Sequence, residues 1–342
     1  MKWLIAFVVV AVGFWTIAEF QPLDAEPSSP IIKQKGVCWV ASRQPIGTLE
    51  IEALAKTNTR WISQTPFAWQ SGAADPTISM NTSNKGWWGE SDEGIEVTTR
   101  IAKEKGIQTM LKPHLWVRNG WPGDIAMKTE EDWQLWFQQY ETFILHYARL
   151  AQQNQIEILC IGTELQQTTE RDADWRNIIQ KIREVYGGKL IYAANFHDEF
   201  EKVQFWDELD YIGIQGYFPL ASLNKPSLET LKKGWEKPMA ALLAVYKKFS
   251  RPIIFTEVGY RSSEDAAIEP WKWPQQNADV KSCVETQALC YQAFFETVWQ
   301  KEWVAGAYFW KWYPHGPQRM AEIDFTPQGK LAETVLTRYY KN

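Results

Sequence analysis

The chain has 342 residues, a formal net charge of −5 and 45% hydrophobic residues. That charge is too small to point to nucleic acid or to an acidic ligand, and the length suits one large α/β barrel or two ordinary domains. Twenty tryptophans stand out, because tryptophan is not among the common residues of soluble domains; they divide between core packing and platforms on which the C–H faces of sugar rings can stack.

Lys2 precedes an uncharged apolar run over residues 3–18. The run is shorter than the roughly 20 residues of a membrane-spanning helix and suits a signal peptide, with an uncleaved N-terminal anchor as the alternative. Residues 1–25 are therefore read as signal peptide or membrane anchor, 26–35 as a linker, and 36–342 as one catalytic domain. The expected location is outside the cytoplasm: periplasmic, extracellular, or held at a membrane by that segment. Cys38, Cys160, Cys283 and Cys290 resemble no disulfide framework. His114, His146, His197 and His315 have no metal-ligand spacing, so neither metal nor cofactor is expected.

From residue 36 onward, short β-prone runs alternate with longer runs of helical period. The predicted strands are 36–40, 60–64, 108–112, 157–161, 190–194, 211–215, 253–256 and 306–310. The clearest helix spans 130–152, where Trp133, Trp136, Phe137, Tyr140, Phe143, Ile144, Tyr147 and Leu150 recur at three and four, with Thr129 as N-cap. Further helices are predicted over 92–105, 172–186, 228–249, 284–302 and 329–340. Eight strands separated by helices imply parallel pairing. No Gly-rich phosphate turn follows the first strand, which argues against a doubly wound nucleotide-binding sheet. The predicted fold is a single-domain (β/α)8 TIM barrel.

Barrel enzymes carry their chemistry at the C-terminal strand ends. In chain order those ends supply Trp39, Gln64, Lys112 with His114, Glu164, Asn195, Tyr217, Glu257, and Trp310 with Trp312. Two of them are carboxylates that terminate apolar runs, Cys160-Ile161-Gly162-Thr163-Glu164 and Ile253-Ile254-Phe255-Thr256-Glu257. A charge at the rim of a core is costly. On strands four and seven of an eight-fold ring the two can converge across the mouth. Carboxyls about 5–5.5 Å apart would perform a retaining double displacement at a glycosidic bond.

At these residues the chain resembles the clan A retaining glycoside hydrolases and, more narrowly, glycoside hydrolase family 113, the β-mannanase family. The matching stretches are Trp61-Ile62-Ser63-Gln64-Thr65-Pro66-Phe67, Leu111-Lys112-Pro113-His114, Cys160-Ile161-Gly162-Thr163-Glu164-Leu165, Tyr192-Ala193-Ala194-Asn195, Tyr211-Ile212-Gly213-Ile214, Phe255-Thr256-Glu257-Val258-Gly259-Tyr260 and Asp324-Phe325-Thr326-Pro327. The resemblance implies Glu164 as acid/base, Glu257 as nucleophile, and a sugar-stacking indole at Trp310. Thr163 departs from the asparagine that many clan A enzymes place before the acid/base; Asn195 is the replacement candidate for the 2-hydroxyl contact. Trp39, Gln64, Lys112, His114, Tyr217 and Trp312 complete the set of expected substrate contacts, with Tyr217 also expected to donate to Glu257. Trp69, Trp87, Trp88, Trp116, Trp121, Trp271 and Trp273 are open between packing and outer subsites. The expected partner is a β-linked oligosaccharide or polysaccharide, β-1,4-mannan foremost. Another β-glycan and a non-catalytic carbohydrate-binding barrel remain the alternatives.

Overall fold

The computed structural model describes residues 32–80, 86–273, 280–317 and 321–341. The N-terminal segment read as signal peptide or anchor, and the linker up to residue 31, lie outside them. Among the described residues no helix is long and apolar enough to cross a membrane.

Among the described residues there are eleven strands: β1 Gln34–Trp39, β2 Trp61–Gln64, β3 Phe67–Gln70, β4 Ile78–Met80, β5 Gln108–Leu111, β6 His114–Val117, β7 Ile158–Thr163, β8 Lys189–Asn195, β9 Tyr211–Gln215, β10 Ile253–Val258 and β11 Val304–Trp312. Eight close into a parallel barrel in the order β1-β2-β5-β7-β8-β9-β10-β11, with β11 returning to β1. This is the predicted (β/α)8 barrel, and all eight predicted strands take part. Its interior is filled by side chains that alternate along the strands, among them the small and medium Cys38, Met110, Cys160, Ile191 and Ala193 and the large Tyr308. The outward residues, such as Ile62, Leu111, Leu159 and Phe255, pack against the helices in a second, larger core.

Two segments outside the predicted strands and helices carry a second sheet. Pro66 and Pro113 follow the ends of β2 and β5, and a proline has no N–H to extend a ladder. The two strands stay paired as they leave the barrel: Lys112 N–H donates to Gln64 O at 2.8 Å and His114 N–H to Pro66 O at 2.8 Å. They resume as the parallel pair β3 and β6, with β4 antiparallel at the edge. A small sheet thus stands on the catalytic rim, seeded by the barrel strands beneath it.

Thr129 caps the helix Glu130–Gln153 as expected, its hydroxyl accepting from Asp132 N–H at 3.1 Å. The helix predicted over 228–249 is two, Leu228–Gly234 and Glu236–Phe249. Pro238 cannot donate to the Gly234 carbonyl one turn back, so the ladder breaks there. Trp235, at the break, is fully buried. All four cysteines are free.

Candidate active site

The eight strand ends open into a cavity of about 1150 Å³ walled by both glutamates and by His114, Asn195, Tyr217 and Trp310. What lets the two carboxyls face it is a pair of one-residue bulges at the rim. Between Cys160 and Thr163, β7 advances three residues while β8 advances two, from Ile191 to Ala193. Between Phe255 and Glu257, β10 advances two residues while β9 advances one, from Ile214 to Gln215. With strict alternation Glu257 would share the outward face of Phe255; the extra residue turns it inward. Glu164 follows its bulge in the left-handed region at φ 52°, a conformation that costs a non-glycine residue about 1–3 kcal/mol and clusters at functional sites. It is held there by its own N–H to Ala193 O at 2.9 Å and by Leu165 N–H to the Tyr192 hydroxyl at 2.9 Å.

Glu257 is 5% exposed. Lys112 Nζ donates to its Oε1 and the Tyr217 hydroxyl donates to its Oε2 at 2.5 Å. Burial by itself would raise its pKa. The Lys112 ammonium and the two hydrogen bonds outweigh that, and the carboxyl lies below its ordinary value. The ring of His114 sits 4.0 Å from Oε1. Burial and the Lys112 charge pull its pKa down to about 3, so it is neutral at ordinary pH and Lys112 is the cation that matters. Cys38 and Cys160 beside Lys112 are pushed up, chiefly by burial, so both remain thiols and Glu257 is the anion that balances the ammonium.

Glu164 has the opposite surroundings. Burial and the nearby Glu257 charge raise its pKa. Its donors are uncharged: Asn195 Nδ2 to Oε1 at 2.7 Å and Trp121 Nε1 to Oε2 at 3.3 Å. Asn195 is fixed in turn, its Oδ1 accepting from His197 N–H at 2.8 Å. One cavity therefore holds a carboxyl biased toward the ion and a carboxyl biased toward the acid, a division that suits acid–base and nucleophilic work at a single bond.

Not every predicted contact lies in the wall. Gln64 is turned out of the barrel, its amide donating to Thr99 Oγ1 at 2.8 Å on the helix Asp92–Glu104. Trp39 follows the inward Cys38 and so points outward, 3% exposed in the strand–helix core. Trp312 is likewise buried there; from Val37 to Trp39 β1 advances two residues while β11 advances three, from Phe309 to Trp312, which displaces it from the alternation that brings Trp310 to the cavity. All three are buried away from the cavity wall. Lys112 is fully buried beneath the cavity and occupied with Glu257. Thr163 is buried too, its hydroxyl 3.8 Å from the Cys160 sulfur.

Other wall residues were not singled out from the sequence. Lys311 is 5% exposed, paired with Asp324 at 3.4 Å and set 4.3 Å from the Trp273 ring. Burial raises the Glu90 carboxyl to about 7. Behind the wall, one Glu199 oxygen lies 2.5 Å from Tyr192 Oη and the other accepts from Asn195 N–H at 2.6 Å. Lys311 follows a strand-end tryptophan, a local signal; Glu90 and Glu199 lie on short helical turns whose relation to the rim only the folded chain reveals. Among the described residues no group of three or more His, Cys, Asp or Glu side chains is placed to hold a metal ion.

An eight-fold barrel whose mouth opposes two carboxyls of contrasting bias, set among aromatic walls, defines a glycoside hydrolase. The chain belongs to Glycoside Hydrolase Family 113, whose family model matches residues 41–330. A β-1,4-mannanase of that family superposes with a TM-score of 0.78 at 25% identity, covering 91% of this chain and 99% of the other. A second, the β-mannanase from Alicyclobacillus acidocaldarius in complex with ManMIm, gives 0.78 at 26% identity over 91% and 97%. A β-glucuronidase from Ruminococcus gnavus shares the fold alone, with a TM-score of 0.60 at 13% identity over 90% of this chain and 50% of that one. No curated protein matches the chain in sequence.

Proposed function

We propose that this protein is an exported β-1,4-mannanase that acts with retention of configuration. Glu257 attacks the anomeric carbon while Glu164 protonates the departing glycosidic oxygen; Glu164 then deprotonates the water that releases the sugar from Glu257. The observation that carries this reading is the electrostatic division across the cavity. The Lys112 ammonium and Tyr217 hydroxyl favour an ionised Glu257, whereas Glu164, among neutral donors and near that charge, favours its proton.

Retention is supported by the placement of the carboxyls on the fourth and seventh barrel strands, as in the clan A enzymes the sequence resembles. Mannan is supported by the family and by the β-1,4-mannanases among the similar structures. His114 Nε2, buried with no hydrogen-bond partner among the described residues, is free to meet a sugar hydroxyl. The apolar run over 3–18 is the support for export, and the mass of the mature N-terminus tests it.

The chemical test is a pair of variants. Glu257→Ala should abolish turnover and be rescued by azide with formation of a glycosyl azide of inverted anomeric configuration. Glu164→Ala should slow poor leaving groups far more than activated ones. Wild-type rates in both variants would end the assignment. Product analysis on mannan, glucomannan, cellulose and xylan decides the sugar.

A further inference from the structure

The small sheet on the barrel rim has two unlike faces. Along β3, Ala68 and Gln70 are buried while Phe67 and Trp69 look the other way; along β6, Leu115 and Val117 are buried while His114 and Trp116 look the other way. Trp69 and Trp116 are direct cross-strand partners, as are Phe67 and His114. The four rings form a continuous path. His114 lies 4.0 Å from Glu257 Oε1, Phe67 is 5.0 Å from the His114 ring, Trp116 is 6.4 Å from Phe67, and Trp69 is 6.0 Å from Trp116. Phe67, His114 and Trp116 belong to the cavity wall; Trp69 stands one ring beyond it.

The outer end of the path is open. Trp69 is 48% exposed and Trp116 53%. Two large indoles left half in water, side by side on an ordered sheet, form the kind of apolar patch that marks a binding surface. Their exposure is also built in, because each alternates with a buried residue on either side and cannot turn inward without reversing the strand's faces.

We propose that the Trp69–Trp116 pair is an outer subsite on which a sugar unit of the same β-linked glycan stacks, beyond the units held in the cavity. The occupant follows from continuity: the pair shares one sheet face with the ring beside Glu257, and a linear glycan bound at Glu257 and leaving along that face passes over it. The pyranose C–H face suits an indole, and no ion or specific hydroxyl pattern is required. The inference rests on the function proposed above and adds a preference for long substrates.

The test is hydrolysis by wild type, Trp69→Ala, Trp116→Ala, the double variant and Trp69→Phe of a manno-oligosaccharide series of increasing length and of mannan, with thermal melts alongside. Trp69→Ala should leave kcat and KM for the shortest cleaved oligosaccharide unchanged, and all three alanine variants should raise KM for the longest and for the polymer on the order of tenfold. Trp69→Phe, which keeps an aromatic face, should recover most of the loss. Equal effects at all lengths, or none at any, would overturn the subsite while leaving the functional reading intact. A wild type that cleaves no member of the series overturns that reading, and the subsite with it.

Discussion

Lys112 and Glu257 form an ion pair at the throat of the barrel: the ammonium donates to Oε1, and their side chains are 0% and 6% exposed. Two charges are tolerated there because each answers the other; removing one leaves the other buried and uncompensated, at a cost of about 3–5 kcal/mol. The pair spans the ring, since Lys112 follows the third barrel strand and Glu257 lies in the seventh, so it fixes the carboxylate from across the mouth.

Lys112→Met removes the ammonium and keeps much of the volume. Glu257 then has burial acting against its charge and regains a proton more readily, so the acid limb of the rate profile should move to higher pH, with kcat reduced on the order of 100-fold at neutral pH. Because the folded pKa of Glu257 lies below its ordinary value, the wild-type pair stabilises the protein above the unfolded carboxyl pKa of about 4.3 and loses that contribution as pH falls through the folded value. The variant should lack this component. Denaturant titrations at several pH values together with pH–rate profiles check both; an unchanged acid limb would remove Lys112 from the account.

Tyr217→Phe isolates the second donor. It leaves the ring in the wall and deletes only the 2.5 Å hydrogen bond to Oε2. Hydrogen bonds to charged groups contribute about 1.5–3 kcal/mol, so the expected fall in kcat is roughly 10- to 100-fold, again with the acid limb displaced upward. Stability should change far less than in Lys112→Met, because no charge is stranded.

The barrel and both glutamates were legible in the sequence because each depends on local signals: β-prone runs of the right length, helical periods between them, and a carboxylate where an apolar run stops. Which side of a strand end faces the cavity was not. That is decided by parity counted from the interior, and the bulges at Thr163, Glu257 and Lys311 reset the count through pairing with neighbouring strands. Trp39, Gln64 and Trp312 thus stand at strand ends, where contacts are expected, yet pack toward the helices. The rim sheet was hidden for a related reason: Pro66 and Pro113 mark strand ends locally, and only the mutual pairing of the two chains carries them on as β3 and β6. Lys112 has the residue type of a substrate contact, yet its partner lies 145 positions away, beyond any local pattern.

Asn195→Ala should act on the opposite limb from Lys112 and Tyr217. Its Nδ2 donates to Glu164 Oε1 at 2.7 Å, and a donor favours the ionised form. Deleting it should raise the Glu164 pKa further above its ordinary value and extend the alkaline limb to higher pH. Glu164 would also lose its orientation, so poor leaving groups should suffer by on the order of tenfold or more while activated aryl glycosides are spared. A uniform loss across leaving groups would instead assign Asn195 to sugar binding.

Glu199 supports that arrangement from behind. It is fully buried, with Tyr192 Oη 2.5 Å from one oxygen and Asn195 N–H donating to the other at 2.6 Å, and Tyr192 also holds Leu165 N–H beside Glu164. Burial is the main force that raises its pKa, to about 8, with the Glu164 and Asp198 charges adding to it. The folded protein thus keeps a proton that the unfolded chain releases at about 4.3. That contribution is complete below the unfolded value and declines as pH rises toward about 8. Glu199→Gln reproduces the protonated acid, with an amide N–H toward Tyr192 and a carbonyl toward Asn195. It should keep near wild-type activity and flatten the fall of stability across that range. Glu199→Ala should leave the buried Asn195 N–H unpaired and Tyr192 Oη without its partner, at about 1–3 kcal/mol each, and depress turnover of poor leaving groups as Asn195→Ala does. Melting curves of both variants between pH 4 and 9, with leaving-group series at the optimum, separate the cases; a glutamine variant as damaged as the alanine would show that Glu199 works as an anion.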